Sequence, residues 1–426
     1  MANQILTNQE ISFKNLMVLE NSISFTKKVV RRYDDKFGRA GAKIGYLINI
    51  RKPARSVSTA GQGIQLQDYI ERSTPLVLNT QWQQACAFTS SDLALSLDDF
   101  TNRVTKPKIV QLANDIDYAG LQQFVNVPAE VGTPGTVPNS ADTYLNALQV
   151  LADEGFPVDD EEGLSVHISP RMQRAIFPAL QGLVSTTVGT TTAFAFLRNM
   201  AKGEGGEEDY FKGLVAKGLG FDWFMSQNIP SFTTGAYSGT AVAVVNSAGQ
   251  TGSSIGTSTW GVNNTQVLNQ GDIVFFSGVH RINPLTRQST GDLRPFVILA
   301  PVTTSGTGVA SLPVACVDGD GITIAGPYQT VDVSPANNAP VTAQGANSTA
   351  SYRGIAFHPE AFTFGCADLE MYDNQHIMEM AADKELGLAI RMWAMPDINT
   401  DRLLMRLDVL GGWLTMYPQG AVRVAS

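Results

Sequence analysis

The 426-residue sequence predicts an α+β fold interrupted by an inserted all-β domain, and three observations carry that prediction. Segments of helical and strand periodicity alternate between residues 141 and 180. From Gly235 to Ala350 there are only eight charged residues and neither Lys nor Glu, in a chain that is 16% charged as a whole. After Tyr352 long apolar strand patterns return, as expected of strands that complete sheets begun before the interruption.

The elements follow in order. Residues 1 to 44 carry weak helical spacing in Phe13, Leu16, Met17 and Leu19, then a basic cluster, KKVVRRYDDKFGR, and read as a partly helical arm. The alternation in IGYLINI predicts a strand over 44–50, and a second strand, PLVLNTQW, begins at Pro75. The polar stretch Arg51 to Arg72 between them has too few hydrophobes for a core of its own, which makes it the tip of a long β-excursion. Next, Ile109, Leu112, Ala113 and Ile116 hold the i, i+3, i+4, i+7 spacing of an amphipathic helix that opens at Pro107, a favoured place for proline. VPAEVGTPGTVPNS (127–140) breaks it with prolines and glycines. A second helix, ADTYLNALQVLADEG, places Ala141, Leu145, Leu148 and Leu151 on one face and stops at Gly155. The strand GLSVHIS and the helix SPRMQRAIFPAL follow.

Within 235–350 the β-rich runs are TAVAVVN, GDIVFFSGV, RPFVILAPV, LPVACV and GITIAG, separated by Gly, Ser, Asn and Pro. A small barrel of about six strands is the expected form. The C-terminal runs GIAFHPEAFTFGCADLEM, LAIRMWAM, RLLMRLDVLGGWLTMY and GAVRVA read as strands of the main fold.

Charge is uneven. Residues 1 to 60 hold eleven Lys/Arg against four acids, a balance of +7 in a chain of net charge −9, so the remainder is −16. A basic arm on an acidic body suits a neighbouring copy, an acidic partner or nucleic acid. Cys86, Cys316 and Cys366 lack ligand spacing and read as buried free thiols of a reducing compartment. The N-terminus has no signal-peptide core. Trp223 to Gly271 is uncharged, yet too rich in Ser, Thr, Asn and Gly to cross a bilayer. A soluble protein made in the cytoplasm is expected.

Catalytic chemistry finds no foothold. His167, His280, His358 and His376 each stand alone, and DNQHIMEMAADKE around His376 lacks the HExxH spacing of a zinc helix. VDGDGITIAG (317–326) starts like a calcium loop but lacks its later ligands, so a Gly-Asp turn is the better reading. AKGLGFD is not a dinucleotide motif, and there is no GxSxG elbow or Walker loop. The expectation is a non-enzyme without cofactor or metal.

The order of arm, excursion, dominant helix, α/β unit and returning strands resembles the major capsid protein fold of tailed bacteriophages, shared with encapsulins and the floor of herpesvirus capsids. The most family-like stretches are GLAIRMWAMPDINTDRLLMRLDVLGGWLTMYPQGAVRVA and FKGLVAKGLGFDWFMSQNIP. The insertion, with GDIVFFSGVHRINPLTRQSTGDLRPFVILAPV, is similar to the Greek-key barrel inserted in coat proteins of the short-tailed Salmonella phage type. A carbohydrate-binding graft is the alternative for that segment.

The resemblance implies an N-terminal arm (1–44), an extended β-loop (45–80), a peripheral domain with the spine helix (81–140) and an axial domain in two parts (141–234 and 351–388). The inserted barrel (235–350) interrupts the axial domain, and returning peripheral strands (389–426) close the chain. It implies a structural subunit that assembles as hexamers and pentamers into an icosahedral head around double-stranded DNA. Scaffolding and portal proteins, a decoration protein and non-specifically held DNA are the implied partners, without a membrane, and the implied location is the virion, assembled in the host cytoplasm.

Lys27, Lys28, Arg31 and Arg32 of the arm are candidates for contact with scaffold or DNA. Only about 44 residues precede the first strand, which leads us to expect a separate scaffolding protein rather than a fused one. Arg51, Lys52, Arg55 and Arg72 are candidates for pairing with the next subunit, setting register more than strength. An encapsulin-like compartment and an enzyme with an unrecognised site are the competing readings.

Overall fold

A computed structural model describes residues 15–20, 22–31, 47–58, 61, 66, 69–89, 105–158, 163–182, 217–237, 242–370, 377–383 and 387–426. In chain order the elements are β1 (Leu47–Lys52), β2 (Arg72–Val77), β3 (Thr80–Thr89), α1 (Lys106–Leu121), β4 (Ala129–Val131), α2 (Ala141–Asp153), β5 (Leu164–Ile168) and α3 (Pro170–Gly182). Then come β6 (Lys217–Gly218), β7 (Phe221–Met225), β8 (Ser231–Thr233), β9 (Ala243–Val245), β10 (Ser254–Ser258), β11 (Gln266–Leu268), β12 (Ile273–Ile282) and β13 (Ser289–Ile298). The last are β14 (Val302–Thr303), β15 (Ala310–Ala315), β16 (Pro340–Ala343), β17 (Ala350–Phe357), β18 (Phe362–Ala367), β19 (Ile377–Asp383), β20 (Leu388–Asp397), β21 (Arg402–Thr415) and β22 (Ala421–Ala425). The chain divides into two units.

The first unit comprises Met1–Lys52, Arg72–Gly120 and Phe362–Leu414. Its sheet is built on the long β21, which pairs antiparallel with β20 and with β3. β19 adds to β20. β1 and β2 form a separate antiparallel ribbon, seated through buried Ile48, Ile50 and Leu76. Gly365 lets that ribbon approach, because a Cβ there would lie 2.7 Å from Leu76. In α1, Ile109, Leu112, Ala113 and Ile116 are buried, as their spacing predicts. Gly120, near the end of α1, lies under Trp413 and Phe25, and a Cβ would come within 2.6 and 2.8 Å of them.

The second unit comprises Pro53–Glu71, Leu121–Ala361 and Thr415–Ser426. Its mixed sheet runs β4-β22-β17-β5-β7-β6, with β8 on the start of β17. Ser140 caps α2, accepting a hydrogen bond from the Asp142 N–H. The core face of α2 is Ala141, Tyr144, Ala147 and Leu151, while Leu145 is exposed. Three of the four predicted positions face the core, Ala141 and Leu151 buried and Leu148 packed partly buried against it; the correction is at Leu145, whose expected place is taken by Tyr144, which reaches the Trp223 ring at 4.8 Å.

Residues 243–343 build a closed barrel in the order β10-β15-β13-β12-β16-β9. Val245, Ile255, Phe276, Phe296, Leu312 and Val314 fill it, with Trp260 among them. The predicted GITIAG strand is absent, since Ile322 makes only an isolated bridge to Gly252 and Ile324 is exposed. β10 and β16, which the runs did not predict, complete the closure.

Other boundaries also move. The predicted strand at 44–50 is found at Leu47–Lys52; residues 44–46 lie outside the described ones. PLVLNTQW is split between β2 and β3 at Leu78 and Asn79, asparagine being a poor strand residue. β22 and β4 pair in parallel in the second unit's sheet. β18 and β19 belong to the first unit.

Candidate functional site

The arm is anchored by a carboxylate. Asp117 of α1 is buried, and its Oδ2 accepts from the Ser24 N–H (2.6 Å), the Ser24 hydroxyl (3.1 Å) and the Phe25 N–H (3.1 Å). Its Oδ1 accepts from the Thr26 N–H (3.0 Å) and hydroxyl (2.6 Å). An anion thus sits at the start of the 3-10 turn Thr26–Lys28, where free N–H groups point. Lys27 on that turn is exposed and lies 4.0 Å from Glu20, while Lys28 and Arg31 are half-buried. Arg32 lies outside the described residues. Val30 then bridges to Thr363, and the Phe364 N–H donates to the Val30 carbonyl at 3.2 Å.

On the ribbon, Lys52 stands opposite Arg72 in register and Arg51 opposite Ser73. Lys52 is buried and Arg51 exposed, and all three cations are engaged within the chain. Arg55, just past β1, extends its Nη2 to Asp318 Oδ2 at 2.8 Å. Arg55 therefore has an anionic partner in the barrel of its own chain. Of the eight predicted cations, the structure brings Lys27 and Lys28 onto one turn and Lys52 and Arg72 across one ribbon.

The densest electrostatics lie where the barrel meets its host sheet. Glu154 caps the C-terminal end of α2, where the helix dipole disfavours an anion. Arg294 of β13 makes a fork to it, Nη1 to Oε1 at 2.8 Å and Nη2 to Oε2 at 3.2 Å, and Arg281 Nε lies 3.5 Å from Oε1. Arg294 is fully buried, and Glu154 and Arg281 are each 5% exposed.

A second cluster joins the base of the barrel to β22. Arg423 donates to the Gly271 carbonyl (2.5 Å) and the Val125 carbonyl (3.2 Å), and Glu130 takes Arg353 Nε at 3.0 Å and Arg423 at 3.9 Å. Burial pulls the Arg423 guanidinium down to about 10, with Glu130 acting against it. Burial likewise raises the Glu130 carboxyl against the pull of Arg353 and Arg423.

Asp272 Oδ2 accepts from the Gly235 N–H (3.0 Å) and the Asn269 N–H (2.7 Å), so this side chain ties the outgoing chain to the barrel. Burial lifts its carboxyl to about 6, against those two N–H donors and the charges of Arg423 and Arg353. The two crossing strands are tied as well: the Thr234 N–H donates to the Thr349 carbonyl at 3.1 Å, and Thr349 N–H to the Thr234 hydroxyl at 2.9 Å.

The remaining chemistry-bearing residues are dispersed. His280 Nδ1 lies 2.8 Å from Asp332 Oδ2, and His167 stacks on Phe224 and Phe357 at 4.9 and 5.7 Å. His376 lies outside the described residues. The three cysteines are free, and only Cys316 is fully buried; Cys86 and Cys366 keep partial exposure at their strand positions. Among the described residues, no group of three His, Cys, Asp or Glu is placed to hold a metal ion, and no helix is long and apolar enough to cross a membrane.

Sequence reasoning missed Asp117, Glu154, Asp272, Arg294 and Arg423. One signal was there to use: in a stretch with eight charges, Asp272, Arg281 and Arg294 are unusual enough to need a partner, and all three are buried.

Comparison with known proteins gives one decisive match. The family model "P22 coat protein - gene protein 5" aligns with residues 207–423, just over half of the chain. No curated protein matches the sequence. Among solved structures, the chain is similar to the capsid of Ralstonia phage GP4, with TM-score 0.45 and 6% identity over 95% of this chain and 88% of the other. It is also similar to a chain from Mycobacterium phage Che8, with TM-score 0.43 and 12% identity over 100% and 94% of the two chains. A third likeness is to the mature capsid of bacteriophage PhiM1, with TM-score 0.42 and 9% identity over 100% and 89%. The family model carries the assignment.

Proposed function

The chain belongs to the P22 coat protein family, and from that premise we infer the particulars of the head shell it builds as a major capsid protein. The carrying observation is the family match over residues 207–423, which takes in the whole barrel and most of its host sheet. Copies of the chain join as hexamers and pentamers into an icosahedral shell that encloses packaged double-stranded DNA, held non-specifically. Many modest contacts repeated over a closed lattice make such a shell far more stable than any one pair of subunits. The barrel is read as a Greek-key insertion, the first unit as arm, loop strands, spine helix and peripheral strands, and the second as loop tip, axial domain and insertion. The role assigned to the chain is structural rather than enzymatic.

Assembly in the host cytoplasm is proposed to depend on a separate scaffolding protein recruited through Lys27, Lys28, Arg31 and Arg32. A portal protein and a decoration protein complete the partners. The exposure of Lys27 beside the anchored turn supports an arm held in place yet offering positive charge outward. Arg51, which is exposed, and Arg72, which is half-buried, are proposed to set register against the acidic body of the next subunit. Electron microscopy of the purified protein, with and without a co-expressed scaffolding protein, tests this. Closed shells that need the scaffold are expected, and a protein that stays monomeric under both conditions overturns the reading. Reversing the four arm charges should abolish recruitment; normal co-assembly of that variant removes the arm from the scheme.

A further inference from the structure

The turn after β15 was singled out in the sequence as VDGDGITIAG, and neither the fold nor the shell reading gives it a task. Val317 and Asp320 close it as an isolated bridge, with Asp318 at φ 52° and Gly319 at φ 83°. Two successive residues in the left-handed region give a tight reversal, and the Asp318 side chain on it is only 5% exposed. Gln419 fixes that side chain from behind: its Nε2 donates to Asp318 Oδ1 at 3.1 Å, and its Oε1 accepts the Asp318 N–H at 3.1 Å. Gln419 is itself buried. The other carboxylate oxygen, Oδ2, faces Arg55 Nη2 at 2.8 Å, and the Arg55 guanidinium lies over the Tyr328 ring at 5.7 Å. The Tyr328 hydroxyl accepts from the Arg55 N–H at 3.4 Å and donates to the Ile70 carbonyl at 3.1 Å. One phenol therefore touches both limbs of the excursion, at residues fifteen positions apart in the sequence.

We propose that Asp318, Tyr328 and Gln419 form a guanidinium-binding site on the inserted barrel whose ligand is Arg55 of the same chain, so that the barrel holds both limbs of the excursion and directs its tip. A fixed carboxylate, an aromatic face and a bridging hydroxyl recognise the planar, delocalised cation of arginine better than the point charge of lysine. The site holds Arg55 and Ile70 while Leu66, Tyr69 and Ile70 remain 92%, 79% and 54% exposed. It therefore acts on where these apolar side chains are presented rather than on burying them. The inference rests on contacts within one subunit and is independent of the shell reading.

Hydrogen exchange on the unassembled full chain, resolved by mass spectrometry, tests it. Asp318→Asn keeps a residue that tolerates the left-handed turn and can still bond Gln419, and removes only the charge. Tyr328→Phe keeps the ring and removes the bridge. Both variants should speed exchange over residues 53–58 by about ten- to hundredfold, the range expected for losing one charge-assisted hydrogen bond. Tyr328→Phe should also speed exchange over 69–71, and Arg55→Lys should not restore protection. Strand β12 should exchange as in the parent. If it accelerates in Asp318→Asn, Arg55→Ala gives the decision, because it leaves the barrel intact. Unchanged exchange at 53–58 in Arg55→Ala, or in the other two variants with β12 intact, overturns the proposal.

Discussion

Replacing Glu154 by alanine removes the carboxylate that both Arg294 and Arg281 approach, and the cost can be worked from the geometry. Arg294 has no solvent exposure and Arg281 has 5%, so neither guanidinium can recover hydration without opening the junction between α2 and the barrel. Breaking a buried ion pair by deleting one partner costs about 3–5 kcal/mol. The lost fork alone comprises two charge-assisted hydrogen bonds of about 1.5–3 kcal/mol each, partly offset by returning water. A loss of about 4 kcal/mol is expected, or a folding equilibrium shifted by about a thousandfold. The assay is denaturant unfolding of the unassembled subunit followed by tryptophan fluorescence, since Trp260 is packed in the barrel core. A triple variant, Glu154→Leu with Arg281→Met and Arg294→Met, replaces the whole triad by apolar groups and should return to within about 1 kcal/mol of the parent or exceed it. A loss below about 1 kcal/mol for Glu154→Ala, or a triple variant as unstable as the single one, refutes the reasoning.

Three further outcomes are expected. The Asp272 carboxyl, raised from 3.8 to about 6, binds its proton more tightly folded than unfolded, so its contribution to stability is complete below pH 4 and is lost as pH rises to about 6. Asp272→Asn keeps an acceptor for the Gly235 and Asn269 N–H groups, and should flatten that decline by up to about 3 kcal/mol when midpoints at pH 4 and pH 7 are compared. Asp117→Ala strands the N–H groups of Ser24, Phe25 and Thr26; trypsin should then cut after Lys27 or Lys28 at least about tenfold faster, which limited proteolysis with mass spectrometry measures. Residues 235–350 expressed alone should fold as β structure on their own closed core but melt earlier than within the full chain, because Arg294 and Arg281 lack Glu154; circular dichroism reads both.

What the sequence revealed depended on range. The buried face of α1 was legible because Ile109, Leu112, Ala113 and Ile116 interact within one helix, at a period that local spacing displays. The barrel was legible as a charge-poor, β-branched stretch, yet β10 and β16 were not. SIGTS and PVTA alternate small polar residues with one or two apolar ones, too short a pattern to stand out. The face of α2 was legible at Ala141, Leu148 and Leu151 but misread at Leu145, because leucines drew attention from Tyr144, which packs on Trp223 in a strand far along the chain. The junctions were beyond reach for the same reason. Arg294 lies 140 positions from Glu154, and Arg55 lies 263 from Asp318, so no periodicity connects either pair. The arm cations were found as a cluster, but the carboxylate that seats the turn bearing two of them, Asp117, looked like any polar position of a helix.

The closure of the barrel has a consequence for crowding. An open sheet leaves a row of unpaired backbone groups on each side, and such rows stick to one another when copies are concentrated. In the order β10-β15-β13-β12-β16-β9 each of the six strands has a neighbour on both sides, the last joining the first. Where many copies are held at fixed, close spacing, a closed barrel of this form adds mass without adding adhesive margins of its own. Its contacts are then set by the side chains on its turns, which can change one at a time without exposing a seam.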